Sequence, residues 1–574
     1  MKPQNGAAPM SETPWIASYP SPARWDAPLD LGAVHGLLDD AAARFGDRPA
    51  VEFMGKRATY RQLHALANRA AKGFQQLGVG PGVHVGLYLP NTPHYLVAFF
   101  GVLKAGGTVV NYSPLDAAQV LAHKVVDSET RLLVTLDVPA LLPQMEALLG
   151  TGQFTTLIVG GLGDLQGFPE YAELAPANGA AAQDGKVPFA SLLANDGAYE
   201  KHALGDPHET IAVLQYTGGT TGLPKGAMLT HANLTAATSQ FIETTKVEPP
   251  VLVLGEERTL LVLPLFHIYS LTACMLLCVR LGAEMVLHTR FDLEAVVNDL
   301  AAKKITLFLG VPTMFAALLA YPGLGELDLR SMKYTASGGA PLPLEIQQRF
   351  HEVTGCEVNE GWGMTETSPS GTFSPMHGKR KPGSCGLPVP GAMLKFASVT
   401  DPATYVPLGE RGEICIQGPN VMKGYWKNPQ ATADVMTADG FLRTGDVAYM
   451  DEDGYVFIVD RIKDMLLCGG YNVYPRNIEE AIYSHAAVGE CSVIGIPDEY
   501  RGQSPKAFIA LKPGAAAFTV EELKEFLRDK LGKHEMVHEI EFREALPKTP
   551  VGKIQKTALY EQEAERRAAA TAEV

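Results

Sequence analysis

The chain is poor in the features that would place a 574-residue protein in several large classes. It has seven cysteines, an odd number with no CxxC pair, so no disulfide framework is expected and a reducing cytoplasm fits. Cys274 and Cys278 lie four apart in an apolar run without a local histidine or carboxylate, so they read as core thiols rather than metal ligands. Cationic excess is also missing. A formal net charge of −15 argues against a nucleic-acid coat or a general binder of anionic membranes, and leaves room only for local basic pockets. The opening MKPQNGAAPMSETPW has no apolar signal region, and the final AEV is no peroxisomal address. The one long apolar stretch, Thr259 to Val279, is interrupted by Pro264, His267, Tyr269 and Ser270 and closed by Arg280. It reads as buried strand, loop and helix, with no stable membrane span expected.

What is present is globular, with 46% hydrophobic and 19% charged residues. At ~150 residues per domain the length suggests about four structural units. Tyr60, Leu63, Leu66, Ala67, Ala70, Phe74 and Leu77 recur at helical spacing, and HVGLYLP from His84 reads as a buried strand. FFGVLKAGG, TVVNYSP, DAAQVLAHKVVD and RLLVTLD continue the rhythm, and later LEAVVNDLAAKK leads into ITLFLGVP. This alternation predicts an α/β fold of parallel sheets covered by helices. Residues 1–15 are expected to be a mobile start. The Gly/Ala/Pro/Asp-rich interval from ~160 to ~205 is expected to be an irregular excursion. After about Pro388 the pattern turns β-rich, as in GERGEICIQG and DGYVFIVD. Beyond RIKDM a small α+β domain is expected, ending in a frayed helix at EQEAERRAAATAEV.

YTGGTTGLPKG, from Tyr216 to Gly226, follows the apolar run IAVLQ. Gly218, Gly219 and Gly222 permit backbone angles that aim successive N–H groups at one anion. Thr217, Thr220 and Thr221 add hydroxyl donors, and Lys225 adds charge. The loop is nevertheless no Walker A motif, because Lys225 is followed by Gly226 and the spacing differs. No set of kinase motifs accompanies it. A phosphate site outside the P-loop and kinase classes is therefore indicated.

Together with LPLFHIYSL, SGGAPL, EGWGMTETSP, RTGD, YVFIVDRIKDMLLCGGYNVYP and PKTPVGKIQK, in that order, the loop makes the sequence resemble the adenylate-forming superfamily: acyl-CoA synthetases, luciferases and peptide-synthetase adenylation domains. The resemblance covers nearly the whole chain. It implies a large N-terminal domain, residues 16–462, of two α/β subdomains and a distorted β-barrel. A small mobile C-terminal α+β domain, residues 463–574, would turn on a hinge at Lys463. It implies an acid–thiol ligase that uses ATP, Mg²⁺ and coenzyme A. A carboxylate attacks the α-phosphate of ATP, pyrophosphate leaves, and a thiol then displaces AMP. The partners implied are small molecules, with a homodimer as the candidate assembly.

The resemblance also assigns roles. Lys553 would be catalytic, its ammonium bridging the carboxylate and the α-phosphate, and His267 would orient the carboxylate. Lys556 closes the motif where arginine is common. Glu366 would hold Mg²⁺, with Thr365 on phosphate. Asp446 would accept the ribose hydroxyls, with Arg461 close by. Gly338, Gly339 and Ala340 would let adenine approach the backbone, and Trp362, followed by Gly363, would stack on it where tyrosine is usual. Cys468, Gly469, Gly470 and Tyr471 would line the pantetheine path after domain rotation, and Arg501 and Lys506 are considered for the CoA phosphates. SYPSPARWDAP, FFGVLKAGGTVVNYSPL and DRIKDMLLCGGYNVYP look most like bacterial fatty-acyl-CoA ligases. An apolar channel of Phe266, Ile268, Thr272, Leu309 to Val311 and Met314 is expected for a medium or long-chain acid. Dicarboxylate- or aryl-CoA ligation, and loading of a carrier protein from the acyl-adenylate, are the alternatives.

Overall fold

Two sheets carry the first three-fifths of the chain, and their carboxyl ends supply the loops of interest. The computed structural model describes residues 13–162, 184–217, 224–469, 471–498, 500–549 and 552–572. The first sheet has eight strands. Its parallel core is formed by Thr108–Asn111, His84–Leu87, Thr130–Leu136 and Thr156–Gly160, and Ile211–Thr217 runs parallel beside Thr108–Asn111. The second has seven strands, in the order Val358–Glu360, Tyr334–Ser337, Leu307–Gly310, Arg258–Leu261, Glu284–Leu287, Pro49–Phe53 and Lys56–Thr59, and is parallel except at its last pair. The inner strands of both sheets, such as His84–Leu87 and Leu307–Gly310, are buried on both faces, which is why they read as continuous apolar runs.

The helix Tyr60–Gln76 starts where Thr59 accepts from Gln62 N and the Gln62 side chain accepts from Thr59 N, a reciprocal cap that satisfies two orphan N–H groups. Its apolar face packs on the helix Pro93–Lys104. Gly101 permits this approach, since a methyl group there would lie 2.7 Å from Ala70 Cβ. The apolar stretch from Thr259 forms the strand Arg258–Leu261, a loop, a π-helix over Ser270–Leu276 and the α-helix Leu277–Leu281. No helix among the described residues is long and apolar enough to cross a membrane. All seven cysteines are unpaired, and Cys274 and Cys278 are buried.

Four expectations change in detail. Residues 1–12 of the mobile start lie outside the described residues, but Trp15 is anchored at 1% exposure. The excursion near 160–205 is partly regular: Lys186–Pro188 is an edge strand of the eight-stranded sheet, and Phe189–Leu193 is a helix. The β-rich third unit is not a closed barrel among the described residues. It is a four-stranded antiparallel sheet (Met393–Ala397, Gly412–Gln417, Leu442–Met450, Val456–Arg461) beside a two-stranded ribbon. The last helix, Lys556–Ala572, is tied down by Lys506 and Glu563 rather than frayed where it crosses them. The carboxyl-terminal sheet, centred on Val488–Asp498 and Gly502–Leu511, has its own core of Leu466, Val473, Ile478, Val493, Ile509 and Leu523 among others.

Candidate active site

The strands Ile211–Thr217 and Lys225–Thr230 form an antiparallel pair in which Tyr216 faces Gly226 and Thr217 faces Lys225. Gly218, Gly219, Thr220, Thr221 and Gly222 lie outside the described residues, so the structure gives the two ends of the expected phosphate loop. Both ends are anchored. The Tyr216 hydroxyl donates to Asp127 Oδ2 at 2.6 Å, and Trp426 N donates to Gly226 O at 2.7 Å. Lys225 Nζ lies 5.1 Å from the centre of the Tyr425 ring.

Glu366 sits on the 3₁₀ turn Thr365–Thr367, and its side chain is buried. Tyr425 donates its hydroxyl to Glu366 Oε1 at 2.7 Å, and Met422 N donates to the Glu366 carbonyl at 2.8 Å. Burial pushes the Glu366 carboxyl upward, and the Tyr425 bond acts against that shift. Gly363 lets this segment fold back on itself, because a Cβ there would lie 1.6 Å from Pro369 O. No cluster of three or more His, Cys, Asp or Glu side chains able to hold a metal occurs among the described residues. A buried carboxylate joined through Tyr425 to Lys225, at one end of the expected phosphate loop, is nonetheless a donor that suits Mg²⁺, which takes few protein oxygens and completes its shell with phosphate and water.

Asp446 and Arg461 face each other across neighbouring strands. Arg461 Nε donates to Asp446 Oδ1 at 2.8 Å, and the Trp362 indole N–H donates to Asp446 Oδ2 at 2.8 Å. Expectation for Trp362 rested on its aromatic face; the indole N–H supplies a second contact that residue type alone did not assign. The other ring edge packs on Gly371, where a Cβ would meet Cε3 and Cζ3 at 2.5 Å. Gly338, Gly339 and Ala340 follow the strand Tyr334–Ser337. A Cβ on Gly338 would lie 2.8 Å from the Tyr269 ring, and one on Gly339, at φ +78°, would lie 2.9 Å from Lys553 Cε.

Lys553 therefore arrives from the far end of the chain. Thr313 Oγ1 donates to Gly552 O at 2.9 Å, pinning that loop against the helix Pro312–Leu319. Burial lowers Lys553 to a pKa of about 8, with Arg461 pushing the same way and Asp446 opposing. His267 is lowered to about 3, first by burial and then by Lys553. Its Nδ1 accepts from Tyr269 N at 3.3 Å, so the neutral ring carries its proton on Nε2. Phe266, Ile268, Thr272, Leu309, Val311 and Met314 of the expected acyl channel are all buried in the neighbouring core.

Lys463, the expected hinge, is exposed two residues after Arg461. Cys468 is buried, Gly469 is exposed at φ +59°, Gly470 lies outside the described residues, and the Tyr471 ring is 62% exposed beside His534. Lys506 corrects an expectation: it is buried between Glu541 and Glu563, both at 2.7 Å, and so cannot reach a CoA phosphate without breaking that cluster. Arg501 donates to His534 O at 2.7 Å. Lys556 pairs with Glu479 at 2.9 Å. Tyr425 and Thr313 escaped sequence reasoning. Tyr425 stands in an unremarked GYW, and nothing in the spacing ties it to Glu366.

The family model described as AMP-binding enzyme matches residues 38–426, and that described as AMP-binding enzyme C-terminal domain matches residues 477–553. A long-chain-fatty-acid–CoA ligase of Bacillus subtilis (strain 168) is 40% identical over 565 residues, covering 97% of this chain and 99% of that protein. A feruloyl-CoA synthase of Amycolatopsis sp is 35% identical, covering 88% and 94%. Among solved structures, ATP-bound MatB from Rhodopseudomonas palustris superposes with a TM-score of 0.80 at 28% identity, over 92% of this chain and 99% of that one. The anthranilate CoA ligase AuaEII with anthranoyl-AMP does so with a TM-score of 0.82 at 27% identity, over 95% and 99%. With its anchored loop ends, buried carboxylate and inserted lysine, the chain belongs to the AMP-binding, adenylate-forming enzymes.

Proposed function

We propose that this protein is an AMP-forming acyl-CoA synthetase that activates a medium or long-chain fatty acid with ATP and passes the acyl group to coenzyme A. The observation that carries the reading is the position of Lys553, threaded against Gly339 within the electrostatic reach of Arg461, Asp446 and His267. A carboxylate and a triphosphate repel each other, and a partly buried ammonium at their meeting point offsets that repulsion as the new oxygen–phosphorus bond forms. The cation is costly to hold there without anions, and its lowered pKa expresses that cost. Substrates thus favour the inserted state. After pyrophosphate leaves, one charge is enough to hold, and withdrawal of Lys553 becomes easier.

His267, neutral and with Nε2–H as its donor, suits the carboxylate without adding a competing charge. Asp446 and Arg461 suit the ribose end. Glu366 and the phosphates would hold Mg²⁺, which neutralises phosphate charge when bound. In the second half-reaction the thiol of CoA attacks the acyl carbonyl and AMP departs. Gly469, Gly470 and Tyr471 are assigned to the incoming arm once residues 463–574 turn about Lys463. Tyr471 faces solvent while Lys553 is inserted against Gly339, which supports two alternating states. A cytoplasmic location is supported by the seven unpaired thiols. A homodimer is part of the reading and is tested by sedimentation.

The mainly apolar residues of the expected channel, Phe266, Ile268, Leu309, Val311 and Met314, and the long-chain relatives favour an alkyl acid. The feruloyl and anthranilate relatives give aryl acids second place. ATP–pyrophosphate exchange across fatty, dicarboxylic and aryl acids, followed by addition of CoA, tests all of this. Fastest exchange with long alkyl acids and formation of acyl-CoA are expected. Exchange without acyl-CoA would move the assignment to carrier-protein loading, and preference for aryl acids would overturn the substrate.

A further inference from the structure

Tyr425 touches both halves of the phosphate side of the site, and no motif assigns it. It lies in the two-residue strand Gly424–Tyr425, paired antiparallel with Met228 and Ala227 of the strand that begins at Lys225. Its ring is 7% exposed. One end of the side chain donates to Glu366 Oε1 at 2.7 Å, and its face lies 5.1 Å from Lys225 Nζ. The backbone around it repeats the connection: Met422 N bonds the Glu366 carbonyl at 2.8 Å, and Trp426 N bonds Gly226 O at 2.7 Å. Tyr425 N donates to Thr432 Oγ1 at 2.9 Å, which holds the residue from behind.

We propose that Tyr425 is a positioning residue that aims the Glu366 carboxylate at the metal–phosphate end of ATP and keeps Lys225 in register with it. The inference rests on the reading of Glu366 as the magnesium ligand. A glutamate side chain turns about three bonds and loses that freedom only where a partner fixes it. Here a hydroxyl proton occupies one carboxylate oxygen, so the orientation of the pair is set before any cation arrives. Partners of this kind matter nearly as much as the ligand, and their loss lowers metal affinity by about 10- to 100-fold. The ring has a separate task. Its electron-rich face attracts the Lys225 ammonium, an interaction that survives removal of the hydroxyl.

The two tasks separate by mutation. Tyr425→Phe deletes the hydroxyl and keeps the ring, Tyr425→Leu deletes both, and Glu366→Gln alters the acceptor. Binding of ATP to the full-length protein is measured by calorimetry with Mg²⁺ and in EDTA, and Mn²⁺ in the presence of ATP is followed by its electron-spin resonance. Tyr425→Phe is expected to weaken MgATP and MnATP binding about tenfold and to leave metal-free ATP unchanged. Tyr425→Leu is expected to weaken both forms, and Tyr425→Phe to add little to Glu366→Gln. Equal weakening of both forms by Tyr425→Phe, or none, overturns the proposal even if Glu366→Gln abolishes metal dependence. If Glu366→Gln itself leaves metal dependence intact, the ligand reading and the proposal fall together. Should Tyr425→Phe not fold, Thr432→Val, which withdraws the acceptor behind Tyr425 N, must weaken MgATP more than metal-free ATP; equal effects overturn the proposal.

Discussion

Trp362 and Arg461 grip the two oxygens of one carboxylate: the indole N–H meets Asp446 Oδ2 and the guanidinium Nε meets Oδ1, each at 2.8 Å. Asp446 is 3% exposed, so its orientation is set by these two donors rather than by water. A carboxylate has about four lone-pair directions, and two remain for a ribose. Trp362→Phe keeps an aromatic face and removes one donor. A hydrogen bond to a charged group contributes about 1.5–3 kcal/mol, part of which water restores. KM for ATP is therefore expected to rise about five- to tenfold with kcat little changed. A fall in kcat at constant KM, in steady-state exchange kinetics, would place the indole elsewhere in the mechanism.

Lys553 makes a pH prediction. Its pKa in the free enzyme is lowered to about 8 by burial and then by Arg461, and the active form is the cation. The cation is present below that value and lost above it. kcat/KM for adenylation, which reports the free enzyme, should therefore fall as pH rises through about 8. His267, lowered to about 3, stays neutral through the working range and adds no limb near neutrality. Lys553→Arg should move the alkaline fall to higher pH. Lys553→Met should lower adenylation by about 10²–10³ at every pH. An alkaline limb unchanged in Lys553→Arg would assign it to another group.

The motifs made the list of participants legible but not their connections. Glycine at 339 could be read as a place of close approach, yet what approaches is Lys553 from more than two hundred residues away. That contact depends on how the carboxyl-terminal unit docks, which no local pattern encodes. Trp362 is readable as an aromatic face, whereas its N–H bond to Asp446, 84 residues on, depends on tertiary packing that no local pattern encodes. Sheet alternation was visible because doubly covered strands must be apolar throughout. The barrel is implied by the resemblance, whereas the residues themselves read only as β-rich; whether such a unit closes is decided by strand pairing, which composition does not show. Lys506 misled for a related reason: an isolated lysine looks like surface charge until three carboxylates from other elements surround it.

Thr313 tests the docking itself. Its hydroxyl donates to Gly552 O at 2.9 Å, one residue before Lys553. Thr313→Val removes the donor at nearly constant volume. The loss should shift the balance away from the inserted state by about 1 kcal/mol, or several-fold in population. Adenylation, followed by pyrophosphate exchange, should slow several-fold. Single-turnover transfer to CoA from preformed acyl-adenylate should be unchanged or faster. Equal slowing of both half-reactions would show that Thr313 does not discriminate between the two states.

The cluster around Lys506 should govern the stability of the carboxyl-terminal unit rather than CoA binding. Lys506 is 2% exposed, with Glu541 and Glu563 at 2.7 Å and Glu539 at 3.9 Å. Removing one member of a buried ion pair leaves the others uncompensated and costs about 3–5 kcal/mol. Lys506→Met should accordingly raise hydrogen exchange in the helix Lys556–Ala572 and lower the unfolding temperature, while KM for CoA stays within about twofold. Acid should act on the same cluster. Glu563 is held down to about 2, first by Arg566 and also by Lys506 and Arg567. A carboxyl depressed in the folded state stabilises fully above its ordinary range and loses that contribution as pH falls toward the folded value. Helix protection in the parent should decline between about pH 5 and 2, and in Lys506→Met the acid-dependent part should be smaller and end at higher pH. A variant with parental helix protection but a raised KM for CoA would return Lys506 to the thiol site.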